Sequence, residues 1–206
     1  AQASVQLQRA ADEAHQAMNT STASARETID TASKVAALNA GDQCAKYFPI
    51  AYVDADINIT SKDLVLAANG LSHTVHVVAP RMIIDLTGSS WIVKSFYHIW
   101  MQLPYFSANH MVGSGVFILS EAGRKRFGLF PNLISDDGYV RSLFDNNERK
   151  TVNGSSFTVY APKDIKNLLK IKTRVRLGNM QVVQLYPHLQ VGGENTLKSF
   201  IRLLLR

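Results

Sequence analysis

Tyr47-Phe48-Pro49-Ile50-Ala51-Tyr52-Val53-Asp54-Ala55-Asp56-Ile57-Asn58 is the stretch around which this chain is organised. Ile50 to Val53 reads as a buried strand, because it is short, apolar and rich in β-branched and aromatic residues. Two carboxylates follow at once, one residue apart. A buried, unpaired carboxylate is costly, so core packing does not account for them. At the carboxyl end of a strand in an α/β sheet they stand at the mouth of the crevice where such sheets bind ligands. Carboxylate oxygens there suit Mg2+ or Mn2+, with the remaining ligands drawn from water and phosphate. A turn or cap beyond the strand is the plain alternative. An EF-hand loop is excluded, because its glycine position falls on Ile59 and its closing glutamate position on Val65.

The 206 residues suffice for one substantial domain with its own core. Hydrophobic content of 46% and charged content of 18% are those of a globular chain, not a disordered one. A single cysteine, Cys44, excludes an internal disulfide framework and a cysteine-rich zinc site, so a reducing compartment is expected. The net charge of +6 is uneven: from Tyr160 onward there are nine Lys/Arg and two Asp/Glu. A basic terminal third points to an anionic partner: phosphate, nucleic acid or lipid head groups. The start has neither the basic region nor the apolar core of a signal peptide. Residues 95–120 lack Asp, Glu, Lys and Arg, but His98, Gln102, Pro104, Asn109 and His110 break them up too much for a membrane span.

Outward from the central strand, the pattern alternates. Residues 4–19 read as a modestly amphipathic helix and 19–25 as a Ser/Thr-rich loop. Lys34 to Cys44 reads as a helix with Ser33 as N-cap and Gly41 marking its end. Thr60-Ser61-Lys62-Asp63 starts a helix running to about Asn69-Gly70. Thr74–Val78 and Met82–Leu86 read as two strands, Trp91–Leu103 as a helix stopped by Pro104, and Val116–Leu119 as a strand. Ser120-Glu121 caps a short basic helix, and Ser135-Asp136-Asp137 starts another. Lys150–Val152 and Phe157–Tyr160 read as a hairpin around Asn153-Gly154. A long basic helix runs from about Lys163 to Gln184. Strands alternating with helices, then mixed elements, make an α/β fold whose sheet carries some antiparallel strands.

Asp136-Asp137 is a second acidic pair, at a predicted helix start where N–H groups favour the ionised form. Capping is the structural reading; a general base taking a proton from an attacking hydroxyl is the functional one. Gly113-Ser114-Gly115 allows close backbone approach to a ligand, or is an ordinary loop. Lys34 can reach a phosphate from its helix start. Arg174 and Arg176, two apart, do not share a helix face, so at most one meets a cleft unless the helix breaks near Gly178. There is no P-loop, Gly-x-Gly-x-x-Gly or Gly-x-Ser-x-Gly motif, and no His-Glu-x-x-His pair.

In order, these pieces resemble family 2 glycosyltransferases of the GT-A fold. The matching segments are Ser33-Lys34-Val35-Ala36-Ala37-Leu38-Asn39-Ala40-Gly41, Tyr52-Val53-Asp54-Ala55-Asp56-Ile57, Gly113-Ser114-Gly115-Val116 and Asp136-Asp137-Gly138-Tyr139-Val140-Arg141. The resemblance covers roughly residues 32–180. It implies a GT-A-like (Rossmann-like) mixed sheet flanked by helices over residues 32–206, with residues 1–31 as an N-terminal helix and loop. It implies that Asp54 and Asp56 bind Mg2+ or Mn2+ and the donor diphosphate, Asp56 more directly. Lys34, Asn39 and a cation from Arg174 or Arg176 would hold the nucleotide sugar, and Gly113, Ser114 and Gly115 would form the acceptor loop. Asp137 would be the base, Asp136 its acidic neighbour, and the chemistry inverting transfer of a sugar from a nucleotide diphosphate to a hydroxyl of a carbohydrate or lipid-linked acceptor. Such transfers build polysaccharides or glycolipids.

Two departures stand out. The family's opening strand and nucleotide-binding loop, Val-x-x-Pro-x-x-Asn-Glu, has no counterpart before Lys34, so a fold without the family's first βαβ portion is expected here. The Gln-x-x-Arg-Trp motif of processive members is absent, which implies a non-processive enzyme. An inactive GT-A-like domain that binds a partner is the alternative. Nucleic acid is not expected as a partner, because the basic segment lacks interleaved aromatics. The expected location is the cytoplasm or the inner face of a membrane. The basic helix and Phe200–Arg206 read first as solvated, with an anionic membrane surface as the alternative contact.

Overall fold

The computed structural model describes residues 34–103, 106 and 115–189. The helix expected over residues 4–19, the loop after it, Ser33, Gly113, Ser114 and the Phe200–Arg206 end lie outside the described residues.

The elements run α1 (Lys34–Cys44), β1 (Ile50–Val53), α2 (Ser61–Ala68), β2 (Val77–Asp85), α3 (Trp91–Trp100), β3 (Val116–Leu119), α4 (Glu121–Arg124), α5 (Asp136–Ser142), β4 (Arg149–Tyr160) and α6 (Ile165–Leu185). The four strands form one mixed sheet in the order β1-β3-β2-β4. β3 is antiparallel to both neighbours, and β2 and β4 are parallel. The α/β reading with antiparallel strands therefore holds.

Both faces of the sheet are covered at β3 and at the first half of β2, which is why Val116–Leu119 and Val77-Val78-Ala79 read as unbroken apolar runs. The period of two sends Val77, Ala79, Phe117 and Leu119 to one face, where they meet Val35 of α1, Tyr139 and Val140 of α5 and Val182 of α6. Val78 and Ile118 point the other way, onto Ala67 of α2 and Val152. All four residues of β3 are buried. β1 stands at the sheet's edge among the described residues, with α1 against its Tyr52. There the Tyr52 hydroxyl donates to Asp42 (2.5 Å), and Arg124 binds the same carboxylate through Nε (2.8 and 2.9 Å) while stacking on Phe127. This network fixes α1 over the strand whose end carries Asp54.

Three local readings need correction. The two strands expected over Thr74–Val78 and Met82–Leu86 are one, β2. The expected hairpin around Asn153-Gly154 is also a single strand: both halves of β4 pair with β2, and the register jumps from Pro80–Val152 to Arg81–Ser156. The physical reason is Pro80. Proline has no N–H for a ladder bond, so residues 153–155 bulge away opposite it. Gly154 takes φ +84° there. The bulge is satisfied from α2, where Ser155 Oγ donates to the Asp63 carbonyl and Ser156 N donates to the Asp63 carboxylate. Third, Gly41 does not end α1, which runs on to Cys44, whereas the long basic helix expected to about Gln184 is found as α6, unbroken through Gly178 to Leu185.

The remaining boundaries follow local chemistry. Thr60 caps α2 by accepting from Asp63 N, Ser120 caps α4 by accepting from Gly123 N, and Asp164 caps α6 by accepting from Asn167 N.

Candidate functional site

Three elements bring charge to one point. Lys34 opens α1, Asp54 follows β1, and Asp136 opens α5. The Lys34 ammonium lies 2.8 Å from Asp54 Oδ1 and 2.8 Å from Asp136 Oδ1. Asp136 is buried, and beyond this ion pair its Oδ1 has no hydrogen bond. Burial works to lower the Lys34 pKa. The hydrogen bonds and charges of Asp136 and Asp54 outweigh it, so the ammonium is held above its ordinary 10.5.

Asp54 begins a tight turn: its carbonyl accepts from Ile57 N (3.2 Å), and its own N–H donates to the Gly115 carbonyl (2.8 Å). Gly115, at φ +92°, lies so close that a Cβ there would stand 3.0 Å from Asp54 Oδ2. Only glycine combines that conformation with that approach. Burial raises the Asp54 carboxyl above its ordinary 3.8; Lys34 opposes the rise, and Asp136 and Asp56 add to it. Asp56 sits on the same turn, exposed to solvent.

Asp137 is half-buried on the neighbouring helical position. Its Oδ1 accepts from Gly138 N (2.7 Å) and lies 3.3 Å from the Ser135 hydroxyl. That hydroxyl is also 3.3 Å from Asn179 Oδ1 of α6, and its one proton serves one acceptor at a time. Burial, then the Asp136 charge, raises the Asp137 pKa above 3.8, while Lys34 and the Gly138 N–H hold it back. The cluster therefore sets one ammonium against three carboxylates, with Asp56 close by.

Ser135 and Asn179 escaped sequence reasoning. The signal was Gly178, an isolated glycine inside a helix, which usually has a packing cause. A Cβ on Gly178 would stand 2.8 Å from Ser135 Cβ, so the glycine lets α6 close on the start of α5. Gln181 Oε1 accepts from Ile134 N (3.0 Å) and completes the joint.

The other expected residues divide. Asn39 pairs both ends of its amide with Phe130, donating to its carbonyl (3.1 Å) and accepting from its N–H (2.7 Å). It pins the loop leading to Asp136, so its amide is engaged with the fold and not with the charge cluster. Arg174 and Arg176 are exposed on different sides of α6. Arg174 lines an open groove with Lys166, Lys170 and Leu177; Arg176 lines another with Asn179. Gly113 and Ser114 lie outside the described residues.

Among the described residues no group of three His, Cys, Asp or Glu side chains is gathered to hold a metal by protein alone. Asp54 and Asp56 instead fit an ion held by one or two carboxylates with phosphate and water, the usual manner of Mg2+. The cradle that Gly115 leaves beside Asp54 Oδ2, while Lys34 takes Oδ1, agrees with that donor set.

No family model, curated protein or solved structure matches this chain. No described helix is long and apolar enough to cross a membrane.

Proposed function

We propose that this chain is a metal-dependent, inverting and non-processive glycosyltransferase with a GT-A-like fold. It transfers a sugar from a nucleotide diphosphate to a hydroxyl of a carbohydrate or lipid-linked acceptor. The observation that carries the reading is the convergence of Lys34, Asp54 and Asp136 at 2.8 Å, at the carboxyl end of a sheet strand.

Asp54 and Asp56 hold the diphosphate end of the donor together with Mg2+ or Mn2+. The bound ion supplies Lewis-acid stabilisation of the negative charge on the departing diphosphate. Lys34 bridges Asp54 and buried Asp136 and holds both side chains in place. Asp137 is the base, because it is the partly exposed member of its pair and a base must reach substrate. Its Oδ1 is occupied by Gly138 N–H and Ser135, so Oδ2 takes the acceptor's proton. The acceptor oxygen bonds to the anomeric carbon from the face opposite the diphosphate, the carbon–phosphate-oxygen bond breaks, and the nucleoside diphosphate leaves with that electron pair.

Calorimetric titration with uridine and guanosine diphosphates, with and without Mn2+, tests this. Binding of either that requires Mn2+ is expected. A second reading, an inactive domain of the same fold that binds a partner, is favoured by β1 standing at the sheet edge among the described residues. Absence of diphosphate binding under both conditions would select it.

A further inference from the structure

We propose that the outer face of α6 docks on an anionic membrane surface. α6 spans 21 residues and carries Lys166, Lys170, Lys172, Arg174 and Arg176 with no Asp or Glu. It is held to the body by buried Leu168, Gly178 and Val182. Lys172 adds to this hold, its ammonium 3.2 Å from the centre of the Trp100 ring of α3.

The face turned away from that contact is apolar as well as basic. On a 3.6-residue period Ile165, Leu169, Arg176, Met180 and Val183 fall in one stripe, flanked by Lys166, Leu177 and Lys170, with Arg174 on the far side of the groove that these line with Leu169. Leu169 is 60% exposed, Met180 57% and Val183 51%. At the start of α6, Ser90 N donates to the Lys163 carbonyl (2.8 Å), which sets Trp91, 75% exposed, beside it. Tryptophan favours the boundary between water and hydrocarbon.

These features select one occupant. Polyanions such as nucleic acid match the charge but give the apolar stripe nothing to enter. A protein that wraps a basic helix needs its whole circumference, and α6 cannot offer it, because Leu168, Gly178 and Val182 are buried in the body. A planar anionic bilayer needs one face only. It takes Leu169 and Met180 below the head groups and leaves Lys166, Lys170, Arg174 and Arg176 for the lipid phosphates.

Flotation of the full chain with phosphatidylcholine vesicles, with and without phosphatidylglycerol, tests the proposal. The chain should float with the phosphatidylglycerol vesicles and less so as salt is raised. Leu169→Ser with Met180→Ser should cut the vesicle-bound fraction by about tenfold or more, whereas Leu169→Ile with Met180→Leu should keep it. Lys166→Gln with Lys170→Gln and Arg174→Gln should also release it. No flotation with anionic vesicles overturns the proposal. So does flotation that the serine variant leaves unchanged, which would mean that the apolar stripe of α6 does not enter the bilayer. The assay uses neither donor nor acceptor, so its result is independent of the transferase reading.

Discussion

Lys34, at the start of α1, reaches across the sheet edge to Asp136, which is buried at the start of α5, and closes to 2.8 Å. A carboxylate so placed is tolerable only with a partner, because breaking a buried pair leaves its charge uncompensated. Lys34→Met should therefore destabilise the fold by about 2 kcal/mol, less than a fully buried pair would, because Lys34 is itself 39% exposed. Lys34→Met combined with Asp136→Asn should recover most of that loss. Urea unfolding of the four proteins closes the cycle. Purely additive losses would show that the two groups do not depend on each other.

Asp137→Asn should abolish transfer, preserve donor binding and leave the fold more stable at neutral pH. The sign follows from the raised pKa of Asp137. The folded state holds this proton more tightly than the unfolded state, so stability falls as pH rises from about 3.8 through the folded pKa. Above it the cost is fully present. Asparagine carries no such charge and can still accept from Gly138 N–H. The gain should be present at pH 7 and vanish near pH 3. The acid limb of transfer activity should lie above the range of an ordinary carboxylate. Transfer by the asparagine variant at the wild-type rate would falsify the base assignment.

Asp56→Ala should leave stability unchanged, because the side chain is exposed on a turn, and should remove the metal-dependent part of diphosphate binding. Asp54→Ala should lose that binding and also disturb Lys34, whose ammonium it holds at 2.8 Å. Calorimetry with Mn2+ separates the two. Unchanged affinity in Asp56→Ala would remove it from the metal site.

Where the physics is local, the sequence shows it. β1 and β3 have the boundaries that their apolar runs and flanking residues imply, and the caps at Thr60 and Ser120 sit where short side-chain acceptors precede apolar periods. The hairpin reading failed because Asn153-Gly154 has good turn chemistry, while the cause of its actual shape, Pro80, lies in another strand. Lys34, Asp54, Asp136 and Asp137 were legible as charges without a packing role. What joins them was not, since Lys34 meets both acids only after β1 and α5 are docked. The pairing of Asn39 is hidden for the same reason: a polar residue on a helix shows no partner in the sequence until Phe130 arrives from a distant loop.

Lys172 carries the last prediction. Its ammonium is packed against Phe96, Tyr97 and Trp100, and loss of water on burial lowers its pKa to about 8. The ring faces hold the cation, which keeps α6 against α3 despite that cost. Below pH 8 the unfavourable part is fully present. Between about 8 and the ordinary 10.5 the unfolded chain binds the proton and the folded chain releases it, so stability from this residue rises with pH. Lys172→Met fills the same space without a charge. Its unfolding free energy should lack that rise, and a difference curve of wild type minus variant measured between pH 7.5 and about 10 should slope upward. A flat curve would mean that the ammonium is as well solvated in the fold as outside it, and that the aromatic box is open to water.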